Sequence, residues 1–323
     1  MRALLCKTTG ESPVLAIEQV DDPAPTTGQV LVKVQAAAVN FVDTLVISGK
    51  YQIPFEPPFI PGSDIAGVIV AVGPDATRFR VGDRVHGITM LGAFAELVAV
   101  PEAQLRPTPD ALDASLASTL GSGTRTAYDA LVSVGCLKAG QDLVILGASG
   151  AVGSSAIAIG KALGARVIAC ASAAKHDLCV AAGADEVVDY TGADFKGDLK
   201  RLCPRGADVV LDMVGGDYTE AALRATGFGG RFVVVGFAAG QVPRVPLNLV
   251  LLKGSSIHGY EIVDFERHRP QEAEANRAAL ERMLSDGQVK PAITAMYPLD
   301  RAPEAVRNVS GRDKQGVSIL TFG

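Results

Sequence analysis

Cysteine is scarce in this chain and poorly placed for metal or disulfide work. Cys6, Cys136, Cys170, Cys179 and Cys203 are odd in number and scattered, with neither the paired spacing of a zinc site nor the density of a disulfide scaffold. They read as packed thiols. His86, His176, His258 and His268 are equally isolated, with no His-x-x-x-His or His-x-x-Cys pairing, so no metal site is expected. Long apolar runs are missing as well. Nowhere do about eighteen apolar residues follow one another, and the run after Met1 is too short for a signal peptide. A cytoplasmic protein without a membrane partner is expected. No block of like charge occurs, and a formal net charge of -5 gives DNA, RNA or an anionic membrane no general attraction.

What is present is core material. Hydrophobic residues make up 48% and charged residues 20% of 323, which excludes extensive disorder and suggests about two domains. The organising stretch is Asp142-Leu-Val-Ile-Leu-Gly-Ala-Ser-Gly-Ala-Val-Gly153. Residues 143–146 form a branched-apolar run of the kind found in strands covered on both faces of a parallel sheet. Gly147, Ala148, Ser149, Gly150, Ala151, Val152 and Gly153 then form a turn leading into a helix over 154–163. Gly147 and Gly150 would let backbone N–H groups approach a pyrophosphate, and Gly153 would permit close helix–strand packing. Ala148 departs from the usual Gly-x-Gly-x-x-Gly pattern, so the surroundings must carry the reading.

They do so by spacing. A strand over 166–171 opens about twenty residues after the first, and its end is where a dinucleotide site reads the adenosine ribose. No acid stands there. Ala171-Ser-Ala-Ala-Lys175 puts Ser172 and Lys175 in place of the carboxylate that would accept from a free 2′-OH, which favours a 2′-phosphate and hence NADPH. The competing reading makes Ser172 a helix cap and Lys175 a solvated lysine. Strands over 208–212 and 231–236, separated by a helix over 218–225, continue the βαβ alternation.

The first hundred residues differ. Short strands over 14–18, 30–35, 66–72 and 94–100, cut by Gly73-Pro-Asp and Val81-Gly-Asp-Arg-Val85 and interrupted by one helix over 41–47, predict a β-rich domain. Val39-Asn-Phe-Val-Asp-Thr-Leu45, Ser48-Gly-Lys-Tyr51, Pro61-Gly-Ser-Asp-Ile-Ala-Gly-Val68, Thr126-Ala-Tyr128, Gly183-Ala-Asp185 with Tyr190, Leu252-Lys-Gly-Ser255 and Gly311-Arg-Asp-Lys-Gln-Gly316 complete a pattern. Taken with the glycine turn, it resembles the quinone oxidoreductase and zeta-crystallin branch of the medium-chain dehydrogenase/reductase superfamily over essentially the full length. The resemblance implies an α/β fold in which a doubly wound parallel Rossmann sheet is inserted in a β-rich, GroES-like catalytic domain. Domain limits are expected at 1–122 with 265–323 for the catalytic part and 123–264 for the NADP-binding part. Strands over 292–297 and 317–321, after a helix over 271–285, come too late to continue the βαβ series and would rejoin the first sheet.

Zinc alcohol dehydrogenases of the superfamily hold their metal with a Cys on the early helix and a Gly-His-Glu segment. Here Asn40 and Gly62-Ser-Asp64 stand at those places, removing the thiolate and imidazole that zinc prefers. Without a Lewis acid the expected acceptor brings its own electrophilic carbon, as a quinone or an enone does. The nicotinamide is expected in the cleft between the domains. The resemblance sets Asn40, Tyr51 and Thr126 at the nicotinamide and substrate. It sets Ser172, Lys175 and Tyr190 around the 2′-phosphate and adenine, and Arg312 near the nicotinamide half or its phosphates, while Gly236 and Phe237, at the end of an expected strand, suit the side of the nicotinamide because ligands sit at the carboxyl ends of parallel strands. Each has a plainer alternative: Asn40 as a helix N-cap, Tyr51 as an aromatic lid on Pro54 or Phe55, Arg312 as a solvated loop charge. Asp43 is expected to be structural and Asp64 to be a partner of unspecified kind, while Tyr260 and Glu261 receive no role. The apolar stretch 240–253 suits a subunit contact or the substrate mouth, and the resemblance implies a homodimer. Two other functions stand beside the zinc-free reductase: a non-enzymatic NADPH-binding protein of the crystallin or RNA-binding kind, and, less favoured, a zinc-dependent alcohol dehydrogenase.

Overall fold

The structure, a computed structural model, describes residues 1–323. It divides into two compact units, Met1–Gly123 with Ile293–Gly323, and Thr124–Ala292.

In the first unit the long strand Gln29–Val39 is the hub of a seven-stranded sheet. One edge pairs antiparallel with Asp64–Val72, and the other is shared by Leu97–Pro101 at residues 29–33 and Val317–Thr321 at residues 36–39. Ile293–Pro298 then adds in parallel beyond Val317–Thr321, so the C-terminal strands do rejoin the first sheet. The sequence explains why the hub is buried unevenly. Val30, Val32 and Val34 point inward while Lys33 and Gln35 face out, and then Ala36 to Val39 are covered on both faces, where small residues let neighbouring layers come close. Leu4, Ile65, Ile69, Phe94 and Leu105 fill the core, with Val306 and Val309 of helix Ala302–Ser310. Gly62 is required at its place: its φ is +96° and the Phe94 ring lies 2.4 Å from where a Cβ would stand.

The second unit is a six-stranded parallel sheet in the order Glu186–Asp189, Arg166–Ala171, Asp142–Leu146, Ala207–Asp212, Thr226–Val234, Ser256–Gly259. Leu143, Val144, Ile145 and Leu146 are fully buried, as their unbroken apolar run requires. The strand order reverses between Asp142–Leu146 and Ala207–Asp212, which makes the carboxyl ends of these two strands the switch point of a doubly wound sheet. The helix expected over 154–163 starts three residues earlier, at Ala151, and two further differences bear on the layout. The strand expected over 231–236 starts earlier, at Thr226, because Ala207 pairs with Thr226 before a register shift. The helix Pro270–Ser285, expected with the first domain, belongs to the second unit: Asn276 donates to Asp129 at 2.8 Å and to Ser133 at 2.8 Å. The return to the first unit therefore falls at Ile293, not near 265.

Candidate functional site

The glycine turn takes the form its sequence asks for. Gly147 has φ +76°, and its N–H and that of Ala148 both donate to Cys170 O at 3.1 Å, tying the turn to the neighbouring strand. Helix Ala151–Ala162 starts from Gly150, and Ser154 N–H makes the bond to Gly150 O at 2.8 Å. The N–H groups of Ala151, Val152 and Gly153 thus precede the helix's own ladder, as the donors that meet an anion at a helix start do. Gly153 packs so closely that a Cβ would stand 2.3 Å from Gly147 O and 2.6 Å from Ala148 Cα. At Gly150 a Cβ would meet only Gly147 O, at 3.6 Å, so that flank is open. The turn fits a pyrophosphate.

The other expected nucleotide residues stand at carboxyl ends of the same sheet. Ser172 follows Arg166–Ala171 and opens a short turn, Ala173–Lys175, without using its side chain as a cap. Lys175 is only 9% exposed, unlike a solvated surface lysine. Asp189, at the end of the next strand, accepts from the Thr191 N–H and hydroxyl at 2.9 and 2.6 Å and also interacts with the Ala173 N–H in the turn after Ser172, so it bridges its own loop and that turn. Tyr190 is half-buried against Tyr218, with ring centroids 4.6 Å apart. Gly236 and Phe237 follow Thr226–Val234, and the half-exposed Phe237 ring lies 2.8 Å from where a Cβ on Gly215 would stand. Thr126 is half-buried on helix Gly123–Asp129.

Asn40, Tyr51 and Arg312 belong to the first unit. Asn40 does occupy the N-cap position of helix Phe41–Ile47, and its N–H donates to Asp43 Oδ2 at 2.7 Å. The Nδ2 end of its side chain donates to Asp64 Oδ2 at 2.9 Å and to Ala38 O at 3.4 Å. Asp64, fully buried, also accepts from Ser122 N–H at 2.7 Å and from the Ser122 hydroxyl at 2.6 Å. The Ser63 hydroxyl reaches Asp43 at 3.3 Å and Asp64 at 3.5 Å. Burial pushes the Asp43 carboxyl up to about 8, with Asp64 adding to the rise. Burial raises Asp64 to about 6 against the pull of hydrogen bonds from Ser122, Asn40 and Ser63. Sequence reading made Asp64 a partner without saying of what; here it is the acceptor that fixes the Asn40 amide. Tyr51 is half-buried in the bend after the helix, while Phe55 pairs with Phe59, centroids 6.0 Å apart. Arg312 is exposed, and the loop that carries it reaches the start of the Asn40 helix through Lys314, whose Nζ sits 4.1 Å over the Phe41 ring.

These donors do not fit zinc. No group of three or more His, Cys, Asp and Glu side chains converges as a ligand set, and the amide, hydroxyl and carboxyl groups at Asn40, Ser63 and Asp64 are bonded to one another. The thiols are likewise unsuited: Cys6, Cys170, Cys179 and Cys203 are buried and all five are free, and burial pushes Cys179 and Cys203 up to about 11.

Sequence reading missed a second polar cluster. Asp129, fully buried, accepts from Tyr260 Oη–H at 2.9 Å and Asn276 Nδ2 at 2.8 Å, with Arg125 Nε 3.4 Å away. Arg125 also donates to Glu266 at 3.0 Å, and Glu266 accepts from Arg277 at 2.6 Å. The partners of Asp129 lie 131 and 147 residues away in sequence, so no local pattern could have paired them. A cavity of about 270 Å³ is lined by Ser133 and Tyr260 of this cluster with His258, Phe265 and Arg269.

A β-rich unit discontinuous in sequence, together with a doubly wound unit carrying a glycine turn at its switch point, defines a medium-chain dehydrogenase/reductase. Residues 26–110 match the family described as "Alcohol dehydrogenase GroES-like domain", and residues 151–278 match "Zinc-binding dehydrogenase". Human quinone oxidoreductase is 33% identical, over 99% of this chain and 97% of that protein. A Pseudomonas syringae quinone oxidoreductase structure shares 32% identity at a TM-score of 0.88, covering 99% of each chain. A mycobacterial protein solved in complex with NADPH shares 31% identity at a TM-score of 0.90, covering 99% of this chain and 100% of that one. The chain belongs to the quinone oxidoreductase family of the medium-chain dehydrogenase/reductase superfamily, and it is an oxidoreductase. No helix is long and apolar enough to cross a membrane.

Proposed function

We propose that the chain is a zinc-independent, NADPH-dependent reductase of quinones or α,β-unsaturated carbonyls. The observation that carries the reading is the bonded cluster of Asn40, Ser63 and Asp64, where metal-using relatives need open ligands. A site so built cannot polarise a simple ketone through a metal, so the acceptor must already be electrophilic at carbon. The names of the similar quinone oxidoreductases and the NADPH complex of a similar structure support the same reading.

Bound NADPH supplies the hydride. The chain's own residues then bind, orient and exclude water. The N–H groups of Ala151, Val152 and Gly153, with Gly147, Ala148, Ser149 and Gly150 beneath, receive the pyrophosphate. Ser172 and Lys175 take the 2′-phosphate, Tyr190 flanks the adenine, and Arg312 answers the remaining negative charge. Thr126, Gly236 and Phe237 seat the nicotinamide. Tyr51 offers its O–H to the oxygen on which charge develops, and Asn40 meets the substrate with an amide whose orientation is fixed by Asp64. The protein is proposed to act in the cytoplasm as a homodimer.

The test is NADPH oxidation with a panel of small quinones and enones, run with and without a chelator. Turnover that survives chelation is expected. Saturable NADPH binding without turnover of any acceptor would instead indicate a binding protein, and stoichiometric zinc would indicate alcohol dehydrogenase chemistry. For the cofactor, Lys175→Glu should weaken NADPH roughly 10- to 100-fold, the worth of a charge-assisted bond, and leave NADH far less affected. Equal losses would remove the 2′-phosphate from the proposal.

A further inference from the structure

We propose that Asp129 is a positioning residue for hydride transfer: its buried carboxylate fixes the rotation of helix Gly123–Asp129 and so the placement of Thr126 against the nicotinamide. The inference rests on the role given to Thr126 above.

Helix Gly123–Asp129 has only seven residues, too few to be stable without tertiary support. Directly after it the ladder loosens into a π-helical turn, Ala130–Val134, so the backbone register alone does not lock its orientation. Two side-chain anchors do. Near its start, Thr124 Oγ1 lies 3.2 Å from Ser155 Oγ on the helix of the glycine turn. At its end, Asp129 gathers Tyr260 from beyond the edge strand, Asn276 from helix Pro270–Ser285 and Arg125 from one turn earlier in its own helix. Asn276 also holds Ser133 inside the π turn at 2.8 Å.

Thr126 lies between the two anchors, one turn before Asp129. Simple packing could stabilise this corner as well or better, because a buried ion pair gives back in desolvation much of what it gains in attraction. What directional bonds to one carboxylate add is a single allowed geometry. A hydride donor seated on this helix needs such geometry, since a displacement of about 1 Å at a reacting centre costs roughly 100-fold in rate.

The test uses Tyr260→Phe, which removes one hydroxyl and keeps the ring, together with Asp129→Asn. Two quantities are read for each folded variant: the Kd for NADPH, and the single-turnover rate at which bound NADPH is oxidised by 1,4-benzoquinone. The expected result is a fall in that rate of about tenfold or more with Kd changed by less than about threefold. Arg277→Ala, at the partly exposed rim of the same network, should lower stability and leave the rate per folded molecule unchanged. Unchanged rates in Tyr260→Phe and Asp129→Asn, or losses that merely follow the unfolded fraction or the Kd, would overturn the proposal. If the unsubstituted chain oxidises no NADPH, the functional reading fails first and this inference with it; normal turnover there with unaltered variants sinks this inference alone.

Discussion

Asp43 and Asp64 are two buried carboxyls whose hydrogen-bond partners are all neutral: an amide, two hydroxyls and backbone N–H groups. With Asp43 raised to about 8 and Asp64 to about 6, the folded protein holds protons that the unfolded chain gives up near pH 4. The folded state therefore binds more protons across that interval, and its stability falls as pH rises. Stability from this pair is complete below about pH 4 and is lost as pH climbs through about 6 and about 8. Asp43→Asn, which keeps the acceptor for Asn40 N–H and cannot ionise, should flatten the profile. Urea midpoints across that range measure it: a loss on the order of a few kcal/mol in the wild type, and a clearly smaller one in the variant. A slope unchanged by the substitution would show that the proton is not held there. At this scale, sequence named candidate residues but not which way they face. Asn40 was expected at the site, and its N-cap position was legible. That its amide is spent on Asp64, 24 residues on, depends on how Gln29–Val39 pairs with Asp64–Val72, which no local pattern encodes.

The glycine turn is where an element depends on one atom that is missing. A methyl group at Gly153 would meet backbone on two sides, Gly147 O and Ala148 Cα, and neither can rotate away as a side chain would. Gly153→Ala should therefore lift helix Ala151–Ala162 off the strand it follows, costing about 2 kcal/mol or more of stability, and weaken NADPH by tilting the helix N-terminus. Denaturant midpoints and a fluorescence titration read the two effects. A variant that binds NADPH as the wild type does would mean that the phosphates sit elsewhere. Elements with a clear period were legible. Helices 41–47 and 218–225 and strands 166–171 and 317–321 fall where their patterns set them. Less visible were pieces whose order comes from neighbours. Ser256–Gly259 is four residues of mixed polarity that become a strand only because Thr226–Val234 offers an edge. The opening of Thr226–Val234 is glycine-rich and reads as a turn until Ala207 pairs with it. Helix Pro270–Ser285 showed its period but not its allegiance, which is set by Asn276 reaching Asp129 and Ser133.

On the scale of the molecule the question is what covers the open end of the parallel sheet. Ser256–Gly259 is the last strand in the order and bonds on one side only to Thr226–Val234, so its outer edge presents unpaired backbone groups. Ile257 on that strand is 39% exposed, and beside it helix Asn248–Lys253 turns out Leu251 and Leu252 at 80% and 74%. Phe228, 88% exposed, adjoins them: its ring lies 3.5 Å from where a Cβ on Gly254 would stand. Lys253 pins the helix in place by donating to Thr226 O at 2.6 Å, so the patch is a fixed surface. Such a grouping of large apolar side chains along a sheet edge is unusual for a monomer. A second copy meeting the same edge would bury both the side chains and the backbone groups in one self-complementary contact. Replacing Leu251 and Leu252 together by Glu should then weaken association by roughly 2 kcal/mol or more, about thirtyfold, while a folded chain remains. Light scattering behind a sizing column would read twice the chain mass for the wild type and a shift toward the single mass for the double variant on dilution. A wild-type protein that runs as a monomer at all concentrations would leave this edge without the partner proposed for it.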